Sequence, residues 1–241
     1  MLNPILISDL DETLITRVDL PDGNTTVKIN MKMLDIFHRA MVLRRQNKID
    51  AILLLTNNSN RHVKSKGIKT KYLDLVNQQL VETYNNKYHP EKISSINDIF
   101  DNIYTAENSV PKGARNRTYN IVKAIPWIGE PVITYKPGPN MTGLRFRPAK
   151  NINTVKNMLK TMSRKVNANN LEQRIYFFDD EIIDHAIRSE IGNKGGAYIR
   201  ITPPFGEDTY DTTDFSPILT LLQNLEKQAG GKRKKTYKNK M

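Results

Sequence analysis

Asp9 and Asp11 stand two residues apart at the end of a short apolar run, Pro4-Ile5-Leu6-Ile7-Ser8. If the backbone stays extended, alternate side chains share a side, which puts the two carboxylates roughly 7 Å apart. Carboxylates at that separation can divide the labour at a phosphorus atom. One attacks, and the other handles the proton of the leaving oxygen. An Asp near its ordinary pKa of about 3.9 is ionised at neutral pH and is nucleophilic without a base. The second must be protonated when the leaving group departs, which requires a nearby negative charge or desolvation. A lone D-x-D equally suits a strand that runs into a turn, so the pair gains meaning only from what meets it.

Two other apolar runs end in similar chemistry. Arg174-Ile175-Tyr176-Phe177-Phe178 is followed by Asp179 and Asp180, and Ala51-Ile52-Leu53-Leu54-Leu55 by Thr56 and Asn57. Carboxylates brought into one pocket repel unless a cation joins them. Hard oxygen ligands suit Mg²⁺, which also takes substrate phosphate oxygens and offsets the repulsion between anions. Alone, Asp179-Asp180 also suits the start of a helix. Asp184, four residues after Asp180, either shares a helix face with it or is a solvated charge. The Thr56 hydroxyl and Asn57 amide can hold a phosphate oxygen at the N-terminus of a following helix, or simply cap that helix. A cation is needed near the nucleophile to screen an incoming phosphate. Lys150, just before a helical pattern, is the best-placed lysine, and Lys156 competes with it.

The elements that must position these groups alternate between strand and helix. Strands are expected at 5–8, 51–55, 100–105, 174–178 and 197–201, each a short apolar run. Two alternating stretches around Pro21-Asp22-Gly23-Asn24 predict a hairpin over 14–29. Asn30 caps a helix reaching Arg45, with Met33, Leu34, Phe37, Ala40, Met41 and Leu43 on its apolar face. Further helices are expected over 69–87, 151–165 (Ile152, Val155, Met158, Leu159 and Met162 inward) and 217–227. Residues 108–147, rich in Gly and Pro and holding Trp127, read as an irregular insert or small cap, with a strand at 132–135. This alternation argues for an α/β fold: a Rossmann-like parallel sheet with helices on both faces. In such sheets ligands sit at the carboxyl ends of the strands, where all three acid or hydroxyl groups fall.

Composition bounds the rest. A chain of 241 residues with 38% hydrophobic and 26% charged residues can build one large domain, here 1–229, followed by a tail, 230–241. No apolar run approaches the ~20 residues that span a bilayer. Cysteine is absent, which excludes disulfides, thiolate catalysis and Cys-built metal sites. The start lacks a basic region and a cleavage site, so an intracellular protein, cytoplasmic or nuclear and not secreted, is expected. The tail holds Lys232, Arg233, Lys234, Lys235, Lys238 and Lys240 with no acid, which is half of the net +12. A tail of this kind is a solvated polycation able to hold nucleic acid through 232–240, or a solubilising extension.

Ile7-Ser8-Asp9-Leu10-Asp11-Glu12-Thr13-Leu14 resembles the first motif of the haloacid dehalogenase (HAD) superfamily, D-x-D-x-T, in the form used by its protein-phosphatase branch. Leu53-Leu54-Leu55-Thr56-Asn57-Asn58-Ser59 resembles the second motif, and Ile175-Tyr176-Phe177-Phe178-Asp179-Asp180 the fourth. They occur in family order, with the hairpin where the family places its flap. The resemblance implies an Mg²⁺-dependent phosphomonoester hydrolase acting on a phosphorylated small molecule, protein or nucleic acid. It implies that Asp9 forms an aspartyl-phosphate and that Asp11 protonates the leaving group and activates water. It gives Thr56 to the phosphoryl group, beside the Asn57 amide read above, and Lys150 to the third motif. The metal falls to Asp9, the Asp11 backbone carbonyl and Asp180, with Asp179 in support. The tail is similar to C-terminal tails in proteins of large DNA viruses. Rival expectations are a nucleic-acid-binding HAD-like module with little catalysis, a nucleic-acid 3′-phosphatase, and phosphotransfer to an acceptor other than water.

Overall fold

A computed structural model describes residues 2–56, 62–105, 150–162, 165–180, 186–192, 194–206 and 211–230. At its centre five strands run parallel: β1 (Ile5–Ser8), β4 (Ala51–Leu55), β7 (Asn102–Tyr104), β8 (Ile175–Asp179) and β9 (Ala197–Arg200), ordered β7-β4-β1-β8-β9. The registers are tight. Ser8 pairs with Leu54 on one side and Phe178 on the other, so the carboxyl ends of the three middle strands lie level.

Both faces of the three middle strands are buried, which is why β1, β4 and β8 read as largely apolar runs. Leu6, Ile52, Leu54, Phe178 and Ile199 point into one core, shared with helices α1 (Met31–Arg45), α2 (Tyr72–Lys87) and α5 (Ser216–Gly230). Ile5, Ile7, Leu53, Leu55, Ile175 and Phe177 point into the other, shared with α3 (Ile152–Lys160) and α4 (Ala186–Ile191). The expected α/β, Rossmann-like sheet with helices on both faces is therefore present. No helix among the described residues is long and apolar enough to cross a membrane.

The first hairpin forms as its turn residues require. β2 (Ile15–Asp19) and β3 (Thr25–Ile29) pair antiparallel, the Asp22 side chain accepts from the Asn24 N–H at 2.9 Å, and Gly23 takes φ +76°. Asn30 caps α1 by accepting from the Lys32 and Met33 amides, and donates to the Thr13 carbonyl at 3.0 Å. At the far end of the sheet, buried Arg174 donates to the carbonyls of Asn3 and Asn167 at 2.8 and 2.6 Å and pairs with Asp50. It ties the amino ends of β1, β4 and β8 together.

Several boundaries differ from the sequence expectation, among them the closing helix, expected over 217–227, which spans Ser216–Gly230. The helix expected from Lys69 begins at Tyr72, because 68–71 belongs to a second hairpin that patterning missed: β5 (His62–Ser65) and β6 (Ile68–Lys71). Its turn is Lys66-Gly67, with φ of +50° and +79°, the double positive φ of a tight two-residue turn. The helix expected to reach 165 stops at Lys160. The Thr161 hydroxyl donates to the Met158 carbonyl at 3.0 Å, and the Asn102 amide donates to the same carbonyl at 2.8 Å, which satisfies the last turn. The third sheet strand spans only Asn102–Tyr104; just before it the Asp101 N–H donates to the Ile52 carbonyl at 2.7 Å while the Asp101 carboxylate accepts from the Ile52 N–H at 2.9 Å. The insert expected at 108–147, the strand expected within it at 132–135, the basic tail beyond Gly230, Asn57 and Asp184 lie outside the described residues.

Candidate active site

Strand parity builds the site. Side chains alternate across a strand, so Asp9, two residues after Ile7, falls on the α3–α4 side, as does Asp179, two after Phe177. The Asp9 N–H continues the ladder by donating to the Phe178 carbonyl at 2.9 Å, which makes Asp9 and Asp179 neighbours. Asp180 comes next in the chain. Carboxylate oxygens of Asp9, Asp179 and Asp180 all lie within 4.8 Å of one another.

Lys150 enters from the segment just before α3, on that same side. Its Nζ donates to Asp179 Oδ2 at 2.6 Å, lies 3.4 Å from Asp9 Oδ1 and stands 5.9 Å above the Phe177 ring. The Asn151 side chain caps α3 by accepting from Thr154, and the Lys150 carbonyl accepts from the Ile187 N–H at 3.0 Å, so both sides of this lysine are anchored. Lys156 is exposed on the outer side of α3 and does not reach the acids. Of the two lysines weighed from sequence, geometry selects Lys150.

The electrostatics follow from burial. Burial pushes the Asp9 carboxyl well above the usual carboxylate range; Lys150 pulls it back, while Asp179, Asp180 and Asp11 push it up. Asp9 Oδ1 is buried and, although the Lys150 ammonium stands 3.4 Å away, it accepts no hydrogen bond among the described residues. Asp180 is raised to about 6, by desolvation first and the Asp179 charge second. The Thr13 hydroxyl donates to Asp180 Oδ1 at 3.2 Å. Three acids against one lysine leave an uncompensated negative charge. With the orphaned oxygen of Asp9, that donor set fits a hard divalent cation.

Asp180 gives a pH-dependent prediction. Its folded pKa of about 6 exceeds the unfolded value of about 3.9, so between these values the folded state holds more protons. Its contribution to stability therefore falls as pH rises through that window. Without divalent cation, Asp180→Asn is expected to gain stability relative to wild type as pH rises from about 4.5 to 7.5, by a few degrees in thermal midpoint. A gap that stays constant with pH, or shrinks, would show that the Asp180 carboxyl is not held up by its surroundings.

Asp11 departs from the sequence expectation. Extended backbone ends with β1 at Ser8, and Leu10–Leu14 closes into a turn in which the Leu14 and Ile15 amides both donate to the Leu10 carbonyl at 3.0 Å. Glu12 takes φ +60°, a left-handed conformation unusual outside glycine. The Asp11 carboxylate is not one of the three clustered acids; its Oδ1 accepts from the Tyr72 hydroxyl at 2.7 Å. Tyr72 was missed in the sequence. It is the first residue of α2, its ring is buried, and its hydroxyl needs a polar partner. The only signal was the Lys66-Gly67 turn, which, once recognised, moves the helix start to Tyr72.

Thr56 is buried at the end of β4, its N–H donating to the Tyr104 carbonyl at 2.9 Å. The next described element is strand β5, so a helix N-terminus directly behind Thr56 is not among the described elements. Beyond β9, the Phe205 N–H donates to the Glu12 carbonyl at 2.6 Å and Gly206 lies against Thr16, where a Cβ would come within 2.5 Å of the hydroxyl. This loop and the start of α1 enclose a cleft of about 440 Å³ lined by Lys28, Lys32, Phe205 and Asp211, away from the three acids.

Comparison with protein-family models and with curated proteins gave no match.

Proposed function

We propose that the protein is an Mg²⁺-dependent phosphomonoester hydrolase of the haloacid dehalogenase type, working through a phospho-aspartate on Asp9. The observation that carries this reading is the convergence of Asp9, Asp179 and Asp180 around Lys150 at the level carboxyl ends of two neighbouring strands. Asp9, Asp180 and the Asp11 carbonyl would hold the metal, with Asp179 fixed by Lys150. When bound, Mg²⁺ supplies charge neutralisation for the phosphoryl oxygens.

The chain's own groups do the rest. An Asp9 carboxylate oxygen attacks phosphorus; the new O–P bond forms as the bond to the leaving oxygen breaks. Asp11 gives that oxygen its proton. A water then loses a proton to Asp11 and attacks phosphorus, which breaks the bond to Asp9 and releases inorganic phosphate. Lys150 screens the incoming anion from Asp9, and Thr56 offers a hydroxyl to the phosphoryl group. Tyr72 is a positioning residue in this reading: its hydroxyl donates to the Asp11 carboxyl that handles the proton.

The test is Mg²⁺-dependent phosphate release across aryl phosphates, sugar phosphates, phosphopeptides and phosphorylated oligonucleotides. Turnover of at least one class supports the reading, and silence on the whole panel ends it. Tyr72→Phe removes one hydroxyl and keeps the buried ring. It is expected to lower kcat on the order of tenfold to a hundredfold with KM little changed, and to shift the acid–base limbs of the pH profile. An unchanged profile would remove Tyr72 from the proton-handling machinery.

A further inference from the structure

From Ala51 to Leu73 the chain has no Asp or Glu, yet it carries Arg61, Lys64, Lys66, Lys69 and Lys71. The ribbon β5–β6 arranges four of the basic groups in this stretch in a way the sequence does not display. Its register pairs His62 with Lys71 and Lys64 with Lys69. Residues two apart share a side, so His62, Lys64, Lys69 and Lys71 all stand on one face, and all four are exposed. Like charges directly opposite each other destabilise a ladder. Among the described residues no carboxylate forms an ion pair with Lys64, Lys69 or Lys71. Asp22, at the tip of the first hairpin, feels Lys64 but is already engaged by Asn24.

The ribbon is braced and it is rooted at the site. The Gly67 N–H donates to Asn24 Oδ1 at 2.8 Å, which locks the two hairpin tips together, and Val63 is buried beneath. Lys71 is followed directly by Tyr72, whose hydroxyl holds Asp11. A braced face of cations therefore begins one residue from Tyr72, which bonds Asp11. Lysines on an exposed ribbon also discourage edge-to-edge pairing, but one or two charges serve that purpose without cross-strand repulsion. Aligned cations repeated along a β ribbon complement a chain of phosphates.

We propose that this face is a docking surface for a nucleic-acid strand, and that the phosphomonoester presented to Asp9 is carried on that strand. The second half rests on the phosphatase reading; the first does not. The test uses the full-length chain and a short fluorescein-labelled DNA strand with a terminal phosphate, at the 3′ end in one arm and the 5′ end in the other. Binding is followed by anisotropy over a range of salt concentrations. The ribbon variant is Lys64→Gln/Lys69→Gln/Lys71→Gln, and a tail variant, Lys232→Gln/Lys234→Gln/Lys235→Gln, controls for the other polycation.

The ribbon variant is expected to bind on the order of tenfold more weakly. Its salt slope should flatten by about 2, from about 0.7 for each phosphate released by three lysines. Aryl phosphate turnover should match wild type, and so should the thermal midpoint, or exceed it once the repulsion is relieved. Unchanged strand binding, or weakening confined to the tail variant, overturns the proposal. So does ribbon-dependent capture of an acidic phosphopeptide in preference to the strand. Ribbon-dependent binding without any phosphatase turnover keeps the docking surface and discards the phosphatase reading.

Discussion

Asp9→Asn is expected to abolish phosphate release, by on the order of 10⁴-fold or more, while leaving the fold intact or more stable. The amide keeps the size of the side chain but cannot donate an electron pair to phosphorus. Removal of a nucleophile costs the whole covalent pathway, not one contact. Stability should move the other way. Burial already pushes the Asp9 carboxyl up toward its neutral form, one of its oxygens lacks a hydrogen bond, and its neighbours Asp179 and Asp180 repel it. A neutral amide in that position removes an unfavourable charge. The informative pair of measurements is therefore turnover and thermal midpoint on the same preparation. Residual turnover within tenfold of wild type would remove Asp9 from the nucleophile's role. Lost turnover with a collapsed midpoint would mean that the charge was structural.

The second large effect belongs to Lys150. Its ammonium is the only cation that the described residues place among the three acids, and it is almost wholly buried. Lys150→Met keeps the apolar stem over Phe177 and deletes the charge. Removal of one partner from a buried ion pair costs roughly 3–5 kcal/mol, because the remaining charge stays desolvated. At this chain length that is roughly ten degrees in thermal midpoint. The deficit has a sign in pH. Without the lysine the folded-state pKa values of Asp9 and Asp180 rise further above their unfolded values, so the penalty grows as pH rises and shrinks toward pH 5, where the acids take up protons. Added Mg²⁺ should recover part of the loss at neutral pH by replacing the missing positive charge. A pH-independent deficit that Mg²⁺ leaves untouched would show that Lys150 holds α3 in place without compensating the acids.

The fold was readable where burial writes a strong pattern. The strands 5–8, 51–55 and 175–179 lie under helices on both faces, so their side chains are apolar up to the polar groups at the strand ends, and α1 shows its inward stripe and its Asn30 cap in the sequence itself. The β5–β6 ribbon was not readable, because it is covered on one side only and at Val63 alone. Its other residues are free to be polar, and no periodic signal survives. The site divides in the same way. Asp9 and Asp179 follow from strand parity, which is a local rule, and Asp180 from its place directly after Asp179. Tyr72 reaches Asp11 only through a turn and a helix start sixty-one residues further along the chain, and no spacing encodes that meeting. Lys150 lay between these cases: its place before α3 was visible, while its advantage over Lys156 depends on which side of the helix faces the acids.

The level pairing of β1 with β8 has one more consequence. Asp9 and Asp179 extend from adjacent rungs of a hydrogen-bonded ladder, with the Asp9 amide on Phe178 and the Ile201 amide on Asp179. Any ion gripped by these acids would act as a rivet through the middle of the sheet. Chelation would then be felt first as faster amide exchange at the tips of the central strands, while the outer strand β7 and the hairpins kept their protection.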